Sequence, residues 1–183
     1  MEVVVAEIPD IKLITSKAFE DKRGYFSETW NYRDFTEAVG DFRFVQDNHS
    51  LSRLAGTLRG LHFQCPPAAQ DKLVRCLRGR VFDVAVDIRH DSPSFGKHVA
   101  VELSAENRRQ VLIPAGFAHG FLTLEPDTEL FYKSTGYYSQ AHDMGITWDD
   151  PTLAIDWPVP PGGLILSDKD KTLPRFSDLP PIF

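Results

Sequence analysis

The most constraining feature of the sequence is a series of short segments rich in β-branched and aromatic residues, separated by turn-forming residues. In the segment Val81–Arg89, apolar side chains occupy every second position. The apolar set is Phe82, Val84, Val86 and Ile88. Successive side chains of a strand point to opposite faces, so the other face presents the carboxylates of Asp83 and Asp87. This period of two predicts a strand with one apolar face and one face that carries two acids.

Turn signals follow one another at a spacing of roughly 12 residues, close to that of antiparallel sandwiches and barrels. They are Leu77–Arg80, Asp91–Ser94 and Ala105–Asn107. Helical periodicity is almost absent between the strand-like segments, which argues against alternating βαβ units. The sequence therefore predicts an all-β fold, a sandwich or barrel of antiparallel strands.

One short helix is predicted over Tyr32–Val39. Asn31 can cap its start, Phe35 and Val39 lie four residues apart on one face, and Gly40 can end it. The chain of 183 residues, 42% of them hydrophobic, can bury a core of its own. We expect a single domain over residues 1–183, with an N-terminal strand region and an irregular wrap after Pro158.

The charge of the chain limits its partners. A formal net charge of −6 argues against binding to nucleic acid or to an anionic membrane surface. No apolar run reaches membrane-spanning length, and Met1–Glu7 lacks the pattern of a secretory signal. Cys65 and Cys76 are too few for a disulfide framework, which fits a reduced cytoplasm.

Because the chain is acidic overall, an anionic ligand would need a local cluster of basic residues. For this cluster we select Arg23, Arg59 and Lys169.

The histidines raise the question of a metal site. The segment Pro114–His119 has a P-x-G-x-x-H spacing that resembles the second motif of the cupin superfamily. Metal-binding cupins supply H-x-H with a nearby glutamate in the first motif, whereas this chain has His62, Phe63 and Gln64. Lys72 is also a poor metal ligand, because an ammonium has no lone pair to offer, and its positive charge would repel a cation. We expect no metal site.

Lys72 shares side-chain parity with Val74 and Cys76, which predicts that it points into the interior. A histidine base and a lysine that stabilises negative charge on oxygen are the groups needed to abstract a proton alpha to a carbonyl. The same residues have plainer interpretations: His62 can be a packed core histidine and Lys72 a solvated edge residue.

Arg59 and His62 have opposite parity, so both can face one site only if Gly60 marks a bulge or if one of them serves a neighbouring subunit. Gln46 and Asn48 share one face of a predicted strand and could bind a base edge or a sugar. The tyrosines at positions 132, 137 and 138 can pack as aromatics, or one buried phenol can donate a proton.

Seven segments in one order, covering nearly the whole chain, resemble the dTDP-4-dehydrorhamnose 3,5-epimerase family, a metal-free branch of the cupins. They are Asp21–Glu28, Gln46–Ser50, Leu58–Gln64, Gln70–Val74, Gly79–Arg89, Ile113–Phe121 and Leu166–Asp170. The resemblance implies a jelly-roll barrel that forms a homodimer and needs no cofactor. It implies inversion at C3 and C5 of dTDP-4-dehydro-6-deoxy-D-glucose, on the route to dTDP-L-rhamnose.

The resemblance also implies roles for individual residues. His62 would be the general base, oriented by Asp170, Tyr132 would be the acid on the opposite face, and Lys72 would steady the enolate oxygen. The nucleotide and sugar would be held, partly across the dimer, by a larger set. This set comprises Arg23, Phe26, Glu28, Gln46, Asp47, Asn48, Arg59, Lys72, His119, Tyr138, Asp143 and Lys169. Asp143 stands where family members often have a glutamate, and it is shorter by one methylene.

Three alternatives stay open. The enzyme could epimerise only C3 or only C5 of a related dTDP-4-keto-6-deoxysugar, it could be a metal-dependent cupin that uses His62 and His119, or it could bind a sugar nucleotide without catalysis.

Overall fold

The computed structural model describes all residues from Met1 to Phe183. It contains thirteen strands, one α-helix and three 3₁₀ turns. The strands are β1 Glu2–Val5, β2 Lys12–Thr15, β3 Ala18–Asp21, β4 Gly24–Ser27, β5 Gln46–Ser52, β6 Leu58–Gln64, β7 Lys72–Arg78, β8 Arg80–Asp87, β9 His98–Ser104, β10 Arg109–Ile113, β11 Phe117–Thr123, β12 Thr128–Ser134 and β13 Asp143–Gly145. The helix is α1 Tyr32–Ala38, and the 3₁₀ turns are Gln140–His142, Asp170–Thr172 and Phe176–Asp178.

The strands form two antiparallel sheets and a separate two-stranded hairpin. The six-stranded sheet has the order β1-β2-β10-β7-β12-β5, and the five-stranded sheet has the order β13-β6-β11-β8-β9. Strands β3 and β4 pair only with each other. The fold is a cupin-type jelly-roll barrel with few short helices. This confirms the all-β fold predicted from the strand pattern and the jelly-roll barrel that the family resemblance implies.

Apolar side chains occupy both faces of both sheets, so the protein has three cores. The first lies inside the barrel and joins Val74 and Val111 of one sheet to Val81 and Phe121 of the other. The second packs the outer face of the five-stranded sheet against the chain after β13, including Trp157. This packing supports our proposal that residues 1–183 form one domain, because the irregular C-terminal segment completes the core.

The third core lies between the outer face of the six-stranded sheet and α1. The side chain of Asn31 accepts a hydrogen bond from the backbone N–H of Asp34 and caps the helix, as predicted. Phe35 and Val39 are both buried. The helix ends at Ala38, one residue earlier than predicted, and Gly40 follows with a φ of +141°.

No helix of the protein has the length and apolar character needed to span a membrane.

The predicted alternation holds in β8. Val84 and Val86 pack in the outer core, whereas Asp83 and Asp87 are both buried on the other face. Asp87 accepts hydrogen bonds from Arg89 and from two serines in the loop that follows the strand. Asp87 therefore fastens a loop, and Asp83 is the carboxylate of this strand that pairs with a histidine.

Alternation breaks in β6, and the break positions the site. The pairing of β6 with β11 shifts register between His119 and Phe121, opposite Gly60. Gly60 has a φ of +135°, and a Cβ atom there would lie 2.4 Å from the Cα of Gly120. The bulge lets Arg59 and His62 line the same cavity despite their opposite parity. Of the two alternatives left open by the sequence, the bulge is the one that the structure shows.

The close approach of two glycine backbones makes Gly60 intolerant of a side chain. We expect Gly60→Ala to lower the free energy of unfolding by about 3 kcal/mol or more, because both the φ angle and the contact oppose a Cβ atom. Urea unfolding followed by circular dichroism measures this change. The matched control is Gly162→Ala, since a Cβ atom at Gly162 meets nothing within 4 Å. We expect the control to stay within about 0.5 kcal/mol of the parent protein. Equal stabilities of the two variants would contradict the proposed constraint.

Candidate active site

The barrel opens into a cavity of about 550 Å³, within the range of small-molecule sites. Both sheets and the C-terminal segment contribute to its wall. Among the residues with chemical groups, the lining comprises Ser50, Thr57, Arg59, His62, Gln64, Gln70, Lys72, His119, Tyr132, Tyr138, Asp143, Ser167, Lys169 and Asp170. Nine of the fifteen predicted site residues line this cavity, including His62, Lys72, Tyr132 and Asp170.

His62 and Asp170 form a hydrogen-bonded pair. Nε2 of His62 lies 2.5 Å from Oδ1 of Asp170, although the two residues are 108 positions apart in the sequence. Burial acts to raise the pKa of Asp170, but the hydrogen bond and positive charge from His62 outweigh it and hold the pKa below its usual range. When Nε2–H donates to this carboxylate, the lone pair of the imidazole resides on Nδ1, which is the arrangement of an oriented general base.

His119 forms a second pair of the same kind. It stands opposite His62 in the pairing of β11 with β6. Its Nε2 lies 2.9 Å from Oδ2 of Asp83, and both side chains are buried. Each histidine therefore has its own carboxylate. No group of three or more His, Cys, Asp or Glu residues that could hold a metal ion occurs in the structure.

Lys72 projects from the six-stranded sheet into the cavity, as its parity with Val74 predicts. Burial lowers the pKa of its ammonium group to about 8, and the negative charges of Asp83 and Asp143 oppose that shift. The ammonium is therefore still mostly protonated near neutral pH, in a poorly solvated position where its charge acts strongly on a neighbouring oxygen.

Tyr132 lies on the same sheet and the same face as Lys72. Tyr132 pairs with Val74 of β7, and Ser134, two residues further on, pairs with Lys72. Burial raises the pKa of Tyr132, and the charge of Asp143 adds to the effect, so the phenol keeps its proton. His62 belongs to the other sheet. The imidazole of His62 and the phenol of Tyr132 thus enter the cavity from opposite walls.

A second polar cluster lies at the exposed end of the cavity, around Asp143. Its Oδ2 accepts hydrogen bonds from Lys169 Nζ at 2.5 Å and from the Tyr138 hydroxyl at 3.0 Å. The hydrogen bond to Asp143 raises the pKa of Tyr138. The carboxylate of Asp143, one methylene shorter than the glutamate of many family members, therefore reaches both Lys169 and Tyr138. These three residues join β13, the loop after β12 and the C-terminal segment.

The predicted residues at the start of β5 lie beside this cluster rather than in the cavity wall. Gln46 donates to Asn48 at 2.7 Å and accepts a hydrogen bond from the backbone N–H of Tyr138. Asp47 points to the other face, as expected from parity, and pairs with Lys133. Gln46 and Asn48 thus share a face, as predicted, but Asp47 does not share it.

Arg23, Phe26 and Glu28 are not in the cavity of their own chain. Arg23 and Phe26 lie on the β3–β4 hairpin, and Glu28 follows it. Phe26 is 71% exposed, and Arg23 pairs with Asp21 at the hairpin turn.

The two cysteines are both free thiols, and burial raises the pKa of Cys76 to about 11, which fits an inert packed residue.

Sequence reasoning placed Asp83 on a carboxylate face but gave it no role in the site. Its pairing with His119 could be expected only from the parity of two strands whose pairing was unknown. Ser50, Gln64, Gln70 and Ser167 also line the cavity and were not selected. All four lie in or beside the segments that resemble the family, which is the one signal that could have indicated them.

The sequence profile described as dTDP-4-dehydrorhamnose 3,5-epimerase matches residues 5–178. The chain is 53% identical over 176 residues to the dTDP-4-dehydrorhamnose 3,5-epimerase of Sinorhizobium fredii, covering 96% of this chain and 90% of that protein. It is also 53% identical over 179 residues to the enzyme of the same description from Shigella flexneri, covering 97% of both.

Solved structures agree. The fold matches the crystal structure of dTDP-6-deoxy-D-glucose-3,5-epimerase from Legionella pneumophila, in complex with dTDP-4-keto-L-rhamnose. The TM-score is 0.94 at 44% identity, covering 98% of this chain and 94% of that chain. The chain therefore belongs to the dTDP-4-dehydrorhamnose 3,5-epimerase family.

Proposed function

We propose that this protein is a dTDP-4-dehydrorhamnose 3,5-epimerase. It converts dTDP-4-dehydro-6-deoxy-D-glucose to dTDP-4-dehydro-L-rhamnose, a step in dTDP-L-rhamnose synthesis, by inverting C3 and C5. One observation carries the proposal: the His62–Asp170 pair and Tyr132 enter one cavity from opposite sheets, with Lys72 beside the tyrosine. The relative from Legionella pneumophila holds a sugar nucleotide of this class.

The proposed reaction starts with removal of a proton next to the C4 ketone, which acidifies both C3–H and C5–H. Nδ1 of His62 takes the proton, and Asp170 stabilises the imidazolium that forms. Electrons move onto the C4 oxygen, and the ammonium of Lys72 stabilises the resulting enolate.

Inversion requires that the new proton arrive on the other face of the ring. Tyr132 stands on the wall opposite His62 and its phenol is protonated, so it is the proposed donor. The steps only move protons, so the proposed chemistry uses no cofactor. A second round at the other carbon uses the same base and the same lysine.

The position of the β3–β4 hairpin supports a homodimer. Arg23, Phe26 and Glu28 would complete the nucleotide site of a second copy, since none of them lines the cavity of its own chain and Phe26 is exposed. Gln46, Asn48 and Arg59 would hold the sugar nucleotide from within the chain, with His119, Tyr138, Asp143 and Lys169. The free thiols and the nucleotide-sugar substrate support a place in the cytoplasm.

Replacing His62 tests the base. We expect the parent protein, incubated with dTDP-4-dehydro-6-deoxyglucose in D2O, to place deuterium at both C3 and C5. His62→Asn is expected to slow this exchange by about 1,000-fold or more, because the variant lacks the proposed base. NMR of the product measures deuterium at each carbon.

The matched control is His49→Asn, since His49 is exposed on the outer edge of the six-stranded sheet and pairs with Glu129. This control should exchange at the parental rate. Deuterium at only one carbon in the parent protein would identify a mono-epimerase. A stoichiometric transition metal in the purified protein, together with loss of exchange on chelation, would favour the metal-dependent alternative.

Replacing Tyr132 separates proton removal from inversion. We expect Tyr132→Phe to retain solvent exchange, because His62 is intact, but to lose most of the inverted product, because the donor on the opposite wall is missing. Product stereochemistry is read from proton coupling constants. The control is Tyr137→Phe, which alters a tyrosine that is 73% exposed and outside the cavity wall. Unchanged stereochemistry and rate in Tyr132→Phe would remove it from the mechanism.

Mixing two defective chains tests the homodimer. A His62→Asn chain and an Arg23→Ala chain, each with a different affinity tag, are co-expressed and purified as the mixed dimer. We expect this dimer to be more active than either homodimer, because one site combines an intact His62 with Arg23 from the other chain. Light scattering gives the oligomeric state. A monomeric protein, or a mixed dimer no more active than the Arg23→Ala homodimer, would contradict the shared site.

A further inference from the structure

The loop between β12 and the 3₁₀ turn that follows it forms part of the cavity mouth, although it belongs to no strand or helix. It spans residues 135–139, and we call it the tyrosine loop because it carries Tyr137 and Tyr138, which are 73% and 57% exposed. Tyr138 lines the cavity and donates a hydrogen bond to Asp143. After Thr135, no backbone N–H of the loop donates to another backbone group. The conformation of the loop therefore depends on other partners.

Two glutamines of the cavity wall bind the backbone of the tyrosine loop. Gln64, the last residue of β6, accepts a hydrogen bond at Oε1 from the backbone N–H of Ser139 at 2.9 Å. Gln70, which precedes β7, donates from Nε2 to the carbonyl oxygen of Gly136 at 2.7 Å. That carbonyl also accepts a longer hydrogen bond, at 3.1 Å, from the hydroxyl of Ser134. Both glutamines line the cavity, so each joins the loop to the wall that a substrate would meet.

Two further side chains complete the attachment of the loop. Gln46 accepts a hydrogen bond from the backbone N–H of Tyr138 at 3.0 Å. Asp71 accepts at Oδ2 from the hydroxyl of Thr135 at 2.8 Å, and the same hydroxyl oxygen accepts from the backbone N–H of Asp71 at 2.9 Å. Four of the five loop residues are thus held by a hydrogen bond to a residue outside the loop, and Tyr137 is the exception.

The two cavity glutamines use opposite ends of their amides. A backbone N–H needs an acceptor and a carbonyl needs a donor, so the amide oxygen of Gln64 faces the loop, whereas Gln70 presents its nitrogen. Gln64 is only 6% exposed, and a buried amide group is costly when it lacks a partner. A Cβ atom on Gly136 would lie 3.2 Å from Cγ of Gln70, so the loop also packs directly against this side chain.

We propose that Gln64 and Gln70 are positioning residues that hold the tyrosine loop in the conformation that binds the substrate. The inference rests on the proposed function, in which Tyr138 helps to hold the sugar nucleotide. A loop that has lost one of these bonds populates further conformations, and binding then has to select the competent one, which weakens the apparent affinity. The proposed base and acid, His62 and Tyr132, make no hydrogen bond to either glutamine. The loss therefore falls on KM rather than on kcat.

The first experiment measures kcat and KM with dTDP-4-dehydro-6-deoxyglucose. Gln64→Met and Gln70→Met keep the length of the side chain and remove its amide. We expect each to raise KM by about tenfold, as when the competent loop is populated about one-tenth of the time, and to change kcat by less than about threefold. Circular dichroism and thermal unfolding establish that each variant is folded.

The matched control is Gln140→Met, which makes the same substitution at the residue directly after the loop. Gln140 is exposed and lies outside the cavity wall. We expect this control to keep the parental KM and kcat.

The second experiment uses the opposite roles of the two amides and needs no substrate. Glutamate at position 64 still accepts from Ser139, whereas an ionised glutamate at position 70 has no proton to donate to Gly136. Both changes add one negative charge. Exchange of the Tyr138 and Ser139 amides with water, resolved by ¹⁵N NMR above about pH 7, reports how often the loop opens. We expect Gln64→Glu to stay within about threefold of the parent and Gln70→Glu to exchange at least about tenfold faster. If Gln64→Glu does not fold, Gln70→Met is compared with Gln140→Met in the same measurement, with the same difference expected.

Equal amide exchange in the variants that keep and that lose the bond would overturn the proposal. So would methionine variants that lower kcat and leave KM at the parental value, because that pattern places the glutamines in the chemical step. A parent protein that places no deuterium at C3 or C5 contradicts the proposed function instead, and the amide exchange still decides whether the glutamines hold the loop. A failure of this inference and a failure of the proposed function therefore give different results.

Discussion

The hydrogen bond between His62 and Asp170 depends on most of the structure around it. It joins a central strand to the irregular C-terminal segment, across 108 positions of sequence. Asp170 begins a short 3₁₀ turn, and its backbone N–H donates to the hydroxyl of Ser167. That turn stays in place because Leu166 and Phe176 on either side of it pack in the core outside the five-stranded sheet. Burial of apolar side chains in the tail thereby fixes a carboxylate against the ring of the proposed base.

Buried charges in a barrel of apolar strands raise the cost of folding, and the protein compensates each of them differently. Asp87 accepts bonds from Arg89 and two serines, which lowers its pKa to about 2 against the effect of burial. This group stabilises the fold above the usual range of carboxyl pKa values, and the stabilisation is lost as the pH falls towards 2. Lys72 is the opposite case, because its ammonium has no hydrogen bond and burial lowers its pKa to about 8. This weakly stabilised charge lies where the proposed chemistry needs a cation.

Much of the fold could be predicted because local rules act on single segments. The alternation of side chains along a strand predicted that Lys72 points inward, that β8 carries two acids on one face and that Gln46 and Asn48 share a face. The rules for helix capping predicted the helix to within one residue. The pairing of His119 with Asp83 was missed, since it depends on which strands are neighbours. For Asp170, parity says nothing, because the tail is irregular; its partner came from the family resemblance. The choice between a bulge and a second subunit at Gly60 likewise required the register of β6 against β11.

The separation of the two sheets bears directly on stereochemistry. Two side chains on one strand, or on neighbouring strands of one sheet, approach a substrate from the same side. His62 and Tyr132 come from different sheets, so in the proposed mechanism a flat enolate between them would meet the base on one face and the acid on the other. Lys72 lies on the same sheet as Tyr132, and in the proposed mechanism it would approach the C4 oxygen from that wall of the cavity. In the proposed mechanism, inversion instead of simple exchange therefore depends on taking the base and the acid from different sheets of the barrel.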